Sequence, residues 1–402
     1  MMLRYLLAPP GVGGPKTFRP DSEVAVDHGF RLYLSGEGTR GTLFFERVVE
    51  VCVLQAVGPG ADFFAEGFKV SAGYLGGFEG FFGGFSLDGG LWVFRDHAGL
   101  VPVYVSGDGL LITNVLAEAC AWGSAEPVEP GTVKDLLTDT AYRFWSPSQV
   151  EVSPQGLKQA LVEGVRRFLP DRPAVFFSGG LDSFIVAEAC VEAGLKPLLL
   201  TLGVEGGHDL EASARAAEVM GLEVHRVVVG VEDVREALIV VEGLLGGLSV
   251  MELSIASAMY LLAREAAGLG CRVAAVGQGA DELFAGYKKY ETLYLRNEAA
   301  ALASALKKDL EQLRLLGLSR DFTVARAGGV FLVPPFMFRR VLELGLSTPM
   351  EERIGVVGGR VVRKKVLRDL VRLAGFEAAA DVQKKALQYG SGIERIVRRL
   401  KR

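Results

Sequence analysis

Ala174-Val175-Phe176-Phe177-Ser178-Gly179-Gly180-Leu181-Asp182-Ser183 is an apolar run that ends in small residues and opens into a helix-like pattern reaching Ala193. A strand followed by a Gly-Gly turn and a helix start gathers unobstructed backbone N–H groups and a helix N-terminus around one point, the layout that cradles a pyrophosphate. The hydroxyls of Ser178 and Ser183 add donors. Asp182, a carboxylate among phosphates, makes sense with a Mg²⁺ between them. A Gly-Gly turn capped by Asp and Ser could serve a helix start alone, but the whole string in this strand-to-helix setting is hard to reach by chance.

Outward from this string the pattern alternates. Leu157–Leu169 reads as an amphipathic helix, Ala174–Phe177 as a strand, Ser183–Ala193 as a helix, Leu198–Leu202 as a strand and Leu210–Met220 as a helix. Val224–Val229 and Val273–Val276 supply further strands, and Asn297–Leu316 and Arg363–Leu373 further helices. Alternating β and α segments predict a parallel, doubly wound sheet with a helical C-terminal part. Before Trp145 the runs are short and β-like, such as Phe30–Leu34 and Gly90–Phe94, with glycine-rich turns between them, which predicts a sheet-rich antiparallel domain. Ser146-Pro147-Ser148 is the clear linker, so the expected domains are 1–148 and 149–402.

At 402 residues, 50% hydrophobic and 23% charged, the chain can bury a core in each domain without staples. A net charge of −4 argues against a dedicated nucleic-acid binder. The basic tail Arg395, Arg398, Arg399, Lys401 and Arg402 reads as a charged helix face. Apolar stretches such as Leu253–Ala263 are interrupted well short of a membrane span, and Pro9 and Pro10 cut off the apolar start, so the expectation is a soluble, cytoplasmic protein with no membrane partner. Cys52, Cys120, Cys190 and Cys271 are dispersed, as are His28, His97, His208 and His225, which predicts buried thiols and neither a zinc site nor a disulfide framework. Scarcity of asparagine, present only at 114 and 297, fits a thermophile.

A second glycine-rich string, Val276-Gly277-Gln278-Gly279-Ala280-Asp281-Glu282-Leu283-Phe284-Ala285-Gly286-Tyr287, follows the strand Val273–Val276. Its glycines let the backbone approach a nucleotide at the carboxyl edge of a parallel sheet, and Asp281 offers a second Mg²⁺ ligand opposite Asp182. The two aspartates are therefore expected to converge at the ends of neighbouring strands. Without a metal such a carboxylate pair repels, which predicts a disordered or partly protonated empty site.

The Ser178–Ser183 loop resembles that of the N-type ATP pyrophosphatases, and the 276–287 string is similar to that of glutamine-dependent asparagine synthetases and β-lactam synthetases. The likeness extends to Phe78–Phe85 and Arg95-Asp96-His97-Ala98-Gly99-Leu100-Val101-Pro102-Val103-Tyr104, which look like the core strand and a hairpin of the class II glutaminase domain. This resemblance implies an α/β chain: an N-terminal Ntn-hydrolase-like (αββα) domain, then a PP-loop synthetase domain of the adenine nucleotide α-hydrolase-like type. It implies ATP cleaved to AMP and PPi, Mg²⁺ on Asp182 and Asp281, and nucleotide contacts from Phe176, Ser178, Gly179, Gly180, Leu181, Asp182, Ser183, Leu202, Val276 and Gly277. Phe176 and Leu202 would flank adenine. Gln383–Gly392 resembles the family's lysine-bearing segment, which gives Lys385, with Lys384 beside it, the task of stabilising charge on the α-phosphate.

The departures are as informative. Position 2 is Met where an active glutaminase of this class places the nucleophilic Cys, and the nearest thiol, Cys52, lies in the strand-like run Val48–Leu54. Glutaminase activity is therefore not expected. Gln278 replaces the family's glutamate, and an amide cannot accept a proton at neutral pH. Val330 or Phe331 replaces a second acidic residue. Catalytic roles thus fall to Lys385, Lys384, Asp281 and Gln278. The expected reaction joins a small carboxylate, aspartate being one candidate, to ammonia or another amine at the cost of ATP; the alternative is a non-catalytic or regulatory nucleotide-binding scaffold. A second copy of the chain or a partner protein is compatible with either. Gly36–Gly41 fits a dinucleotide fingerprint but runs into the strand-like Thr42-Leu43-Phe44-Phe45, so it reads as a hairpin turn.

Overall fold

The computed structural model describes residues 72–87, 90–106, 111–121, 125–380 and 391–401, together with five earlier strands. The N-terminal strands are β1 (Arg4–Ala8), β2 (Ser22–Ala25), β3 (Arg31–Ser35), β4 (Phe44–Val49), β5 (Cys52–Val57), β6 (Phe81–Ser86), β7 (Trp92–Arg95), β8 (Tyr104–Ser106), β9 (Ile112–Thr113), β10 (Ala125–Pro127), β11 (Thr132–Asp135) and β12 (Thr140–Arg143). They form two six-stranded sheets, β10-β8-β9-β1-β3-β2 and β12-β11-β7-β6-β5-β4, whose pairings are antiparallel.

Two hairpin readings and one strand reading fail. The strands either side of Gly36–Gly41, β3 and β4, belong to different sheets, so no hairpin joins them. Likewise Arg95 ends β7 in one sheet and Tyr104 begins β8 in the other; the intervening loop crosses between sheets. Asp96 holds that loop by accepting from the backbone N–H groups of Ala98, Leu100 and Val101 at 2.9, 3.2 and 3.0 Å. Finally Val48–Leu54 is not one strand but a hairpin, with Val49 paired to Cys52.

The second layer system is a parallel sheet of β13 (Ala174–Phe176), β14 (Leu198–Gly203), β15 (Val224–Val228), β16 (Val273–Ala275) and β17 (Phe331–Val333), in the order β15-β14-β13-β16-β17. β13, β16 and β17 are buried throughout and carry uninterrupted apolar sequence, as strands covered on both faces do. The edge strand β15, Val-His-Arg-Val-Val, is only half-buried. Helix Leu181–Glu192 is buried from Leu181 to Cys190, which explains its lack of an amphipathic pattern.

Local signals set the helix starts. Ser153 caps Pro154–Phe168 by accepting from Gly156 N–H at 3.0 Å, with Pro154 in the first turn. Ser249 and Glu252 make a reciprocal capping box on Val250–Gly268, the helix that contains the apolar run Leu253–Ala263. The predicted helix 297–316 is instead Ala299–Gln312 followed by a π-helical turn, Leu313–Gly317, which leads into helix Leu318–Ala327.

Phe81, Leu100 and Trp145 share one apolar core with the parallel sheet and its helices. Fully buried Arg95 reinforces the join: its guanidinium donates to Gly99 O at 2.6 Å and Val128 O at 2.9 Å, and across the junction to Arg314 O, Leu315 O and Ser319 Oγ. Among the described residues no single helix is long and apolar enough to cross a membrane. One expectation for side chains needs adjusting. Cys190 and Cys271 are buried thiols, but Cys120 is exposed. In the basic tail, Arg398 pairs with Glu394 and Lys401 with Glu242, as a charged helix face would.

Candidate functional site

The strand order reverses between β13 and β16, and at such a switch point the loops leaving the two strands part and open a crevice. One loop is Ser178–Ser183; the other runs from Gly277 to Asp281. They cross closely: a Cβ on Gly277 would lie 2.7 Å from Asp182 Cβ, so only glycine fits. Gly179 takes a φ of +72°, and Gly180 caps helix Leu181–Glu192 with no side-chain bond, leaving the first N–H groups to the crevice. Ser178 Oγ lies 3.3 Å from Ser183 Oγ, which donates to Gly180 O at 3.0 Å, so these hydroxyls brace the loop.

Asp182 and Asp281 converge as expected, but they are not alone. Lys364 Nζ lies 2.6 Å from Asp182 Oδ1, 2.8 Å from Asp182 Oδ2 and 2.6 Å from Asp281 Oδ1. The Lys364 side chain is 10% exposed and that of Asp182 7%, whereas that of Asp281 is 33% exposed. Burial alone would lower the lysine's pKa; the charges of Asp182 and then Asp281 outweigh it and raise the value above 10.5. The repelling, disordered pair expected of an empty site is thereby corrected, because a buried cation neutralises it. Lys364 holds a left-handed φ of +56° just before helix Lys365–Leu373. Gly286 makes room for it: a Cβ there would collide with both Asp281 Oδ1 and Lys364 Cε.

A cavity of about 340 Å³ opens onto this cluster. Phe176, Leu202 and Val276 contribute apolar wall, and Ser178, Asp182, Ser183, Gly277, Gln278 and Asp281 line it too. Gly179, Gly180 and Leu181 shape the loop without being among the lining residues. The apolar side is completed by Met251, Ile255, Met259 and Leu262, all from helix Val250–Gly268. Thr201, 2% exposed, stands in this wall, and its Oγ1 has no hydrogen-bond partner.

At the polar side Gln278 donates through Nε2 to Asp321 Oδ2, and Arg320 engages the same carboxylate through Nε and Nη2 at 2.8 and 3.0 Å. Val330 and Phe331 are buried, so no carboxylate enters from that segment. Glu282 does face the cavity; its carboxyl is pushed up to about 7 by burial and by the charge of Asp281, and Tyr287 Oη donates to it at 2.6 Å. Lys364, Thr201, Glu282 and the Arg320–Asp321 pair were all missed by sequence reasoning. Thr201 could have been found as the lone polar residue of the run Leu198–Leu202. Lys384 and Lys385 lie outside the described residues.

The two carboxylates fit a magnesium ion, which takes one or two carboxylates and fills its remaining positions with phosphate oxygens and water. An ammonium seated between oxygens of both aspartates marks a point where a cation is stabilised.

Residues 156–327 match the family model described as asparagine synthase. Among curated relatives, a Methanocaldococcus jannaschii chain assigned as glutamine-hydrolysing asparagine synthetase 1 is 28% identical over 275 residues, covering 61% of this chain and 50% of that one. Asparagine synthetase B of Escherichia coli K12 is 24% identical over 305 residues, covering 68% and 54%. The chain thus spans about half the length of the curated relatives it matches. Of solved structures, an NMN synthetase from Francisella tularensis overlaps 62% of this chain and 94% of its own at 15% identity with a TM-score of 0.28, too low to carry an argument.

Proposed function

We propose, from the match of residues 156–327 to the asparagine synthase family model, that this chain uses ATP to adenylate a small carboxylate, aspartate being the first to try, and passes the acyl group to ammonia or another amine, releasing PPi and AMP. The observation that supports this most is the convergence of Asp182, Asp281 and Lys364 at the mouth of the Ser178–Ser183 loop, at the switch point of a parallel sheet.

Each residue's task follows from its chemistry. The N–H groups at the start of helix Leu181–Glu192 receive the phosphates. Phe176, Leu202 and the apolar helix Val250–Gly268 enclose the base, and Thr201 Oγ1 is free to bond its edge. Lys364, together with Lys385 and Lys384 from the C-terminal segment, balances negative charge on the α-phosphate oxygens as the carboxylate attacks and on the pyrophosphate as it leaves with the bonding pair. A Mg²⁺ held by Asp182 and Asp281 would supply electrostatic stabilisation of the departing pyrophosphate. Adenylation needs no proton acceptor, so the loss of acidic residues at 278 and 330–331 leaves it intact. Ammonia is not made from glutamine in this reading, and the N-terminal domain serves packing: Arg95 and Asp96 are spent on the sheet-to-sheet loop and the junction.

The same two lost carboxylates favour a second reading, a nucleotide-binding scaffold without catalysis. Exchange of labelled PPi into ATP, measured with Mg²⁺ and a panel of carboxylic acids that includes aspartate, separates them. Exchange with one acid supports the ligase; Mg·ATP binding with no exchange for any acid leaves the scaffold.

A further inference from the structure

His97 is 1% exposed and sits among aromatic rings, its centroid 5.4 Å from that of Phe81 and 5.2 Å from that of Trp145. A phenylalanine would fill this place without burying a polar atom. The imidazole adds a bond: Nε2 lies 2.8 Å from Met337 O, and because a carbonyl only accepts, Nε2 carries the proton. Nδ1 is left as a buried acceptor with no partner. Burial, then the charge of Arg339, holds the ring's pKa well below 6.5, so the neutral donor persists across the physiological range.

Both ends of this link are anchored. Asp96 accepts from three backbone N–H groups of the loop that carries His97, and Arg314 donates to His97 O from the turn Leu313–Gly317. Met337, fully buried in the turn Pro335–Met337, sets its thioether against Gly279: a Cβ there would lie 2.7 Å from Met337 Sδ. Gly279, at a left-handed φ of +94°, starts helix Ala280–Leu283, which carries Asp281.

We propose that His97 is a positioning residue of the nucleotide site: by holding Met337 O it fixes the seat of Gly279, and with it the place where Asp281 meets the metal of Mg·ATP. The inference rests on the nucleotide site of the ligase reading above and gives the N-terminal domain a task beyond packing.

The test is calorimetry of ATP binding to the full chain with and without Mg²⁺, beside its melting temperature. His97→Phe keeps the ring packing, and the unpartnered Met337 O it creates is offset by removal of the unpartnered Nδ1, so melting should stay near the parent's. The factor by which Mg²⁺ tightens ATP binding should nevertheless fall about tenfold, the scale of one lost hydrogen bond. His97→Gln loses the ring and should melt lower, yet its Nε2 reaches the same carbonyl and should preserve the factor. A merely structural histidine would make the factor follow the melting temperature. In Met337→Ala the seat is already gone, so the factor should be low and the added His97→Phe should lower it no further. A parent indifferent to Mg²⁺, an unchanged factor in His97→Phe, or a full further loss in the double variant overturns the proposal; should His97→Phe fail to fold, an unchanged factor in Met337→Ala does so. Absence of PPi exchange in the parent would instead remove the ligase reading while the binding factors still decide the role of His97.

Discussion

Replacing Lys364 with Met keeps most of the aliphatic stem and removes the charge between Asp182 and Asp281. Breaking a buried ion pair by deleting one partner typically costs roughly 3–5 kcal/mol, since the other charge is left uncompensated. Asp281 is one-third exposed and so partly screened, which puts the expectation at the lower end, about 3 kcal/mol, in the absence of divalent ions. Magnesium should then matter more to the variant than to the parent: at about ten times its Kd it would return about 1.4 kcal/mol. Lys364→Gly supplies an internal check: it relieves the left-handed strain of a non-glycine residue at φ +56°, roughly 1 kcal/mol, but forfeits the buried stem that Met keeps, so it should lose no less than Met. Urea unfolding of the three proteins with and without Mg²⁺ measures all of this. The sign of the pH dependence is fixed too. A lysine whose pKa is raised in the fold contributes fully below its ordinary 10.5, and its contribution disappears as the pH climbs through the raised value. If Lys364→Met matched the parent in stability and in its response to Mg²⁺, the ammonium would not be the counter-charge of this site.

Asp182→Asn and Asp281→Asn should each weaken Mg·ATP binding by about 2 kcal/mol in calorimetry, as loss of a charged ligand at a dry phosphate site predicts; unchanged affinity in both would move the nucleotide elsewhere. Thr201→Val, nearly isosteric, should weaken ATP binding by about 1 kcal/mol while leaving the fold's urea midpoint no lower, since the hydroxyl has no partner to lose. Glu188 is pushed up to about 7 by burial and by its neighbour Glu192, so it favours the fold below about 4.5 and that contribution is lost as the pH rises through 7. Thermal scans of Glu188→Gln should accordingly show a shallower decline from pH 5 to 8. Added glutamine should yield no glutamate above background, and a steady yield abolished by Cys52→Ala would overturn that expectation.

What the sequence exposed was the part written locally. The Ser178–Ser183 and Gly277–Asp281 strings each lie at a single strand end, so their backbone demands appear as glycines in a row, and the order of β and α segments carried the parallel sheet with it. Residues whose meaning depends on distant partners stayed hidden. Lys364 was absorbed into the amphipathic pattern of Arg363–Leu373, yet it works against residues 182 and 83 positions away. Asp321 and Arg320 were an ordinary helix pair until Gln278 came to meet them. Helix Val250–Gly268 escaped because many of its positions are buried and the polar face that would announce the period is weak, whereas Val231–Leu245 was overlooked although its buried residues Val234, Ala237, Leu238, Val241, Leu244 and Leu245 keep helical spacing. The π-helical turn at Leu313–Gly317 was missed because its leucines extend the apolar pattern of the helix before it, and the helix beyond, Leu318–Ala327, was not foreseen.

That turn also ties the two sheet systems into a common fate. The carbonyls of Arg314 and Leu315 are met by a guanidinium that arrives from β7, and Arg314 donates back to His97 O. Cutting the chain near residue 148 would strand these groups on one fragment and leave the arginine on the other, uncovering apolar surface around Phe81 and Trp145 as well. Neither fragment then has a reason to melt independently, and the intact molecule should unfold in one cooperative step, with damage anywhere in the N-terminal sheets registering as a lower melting temperature of the nucleotide site itself.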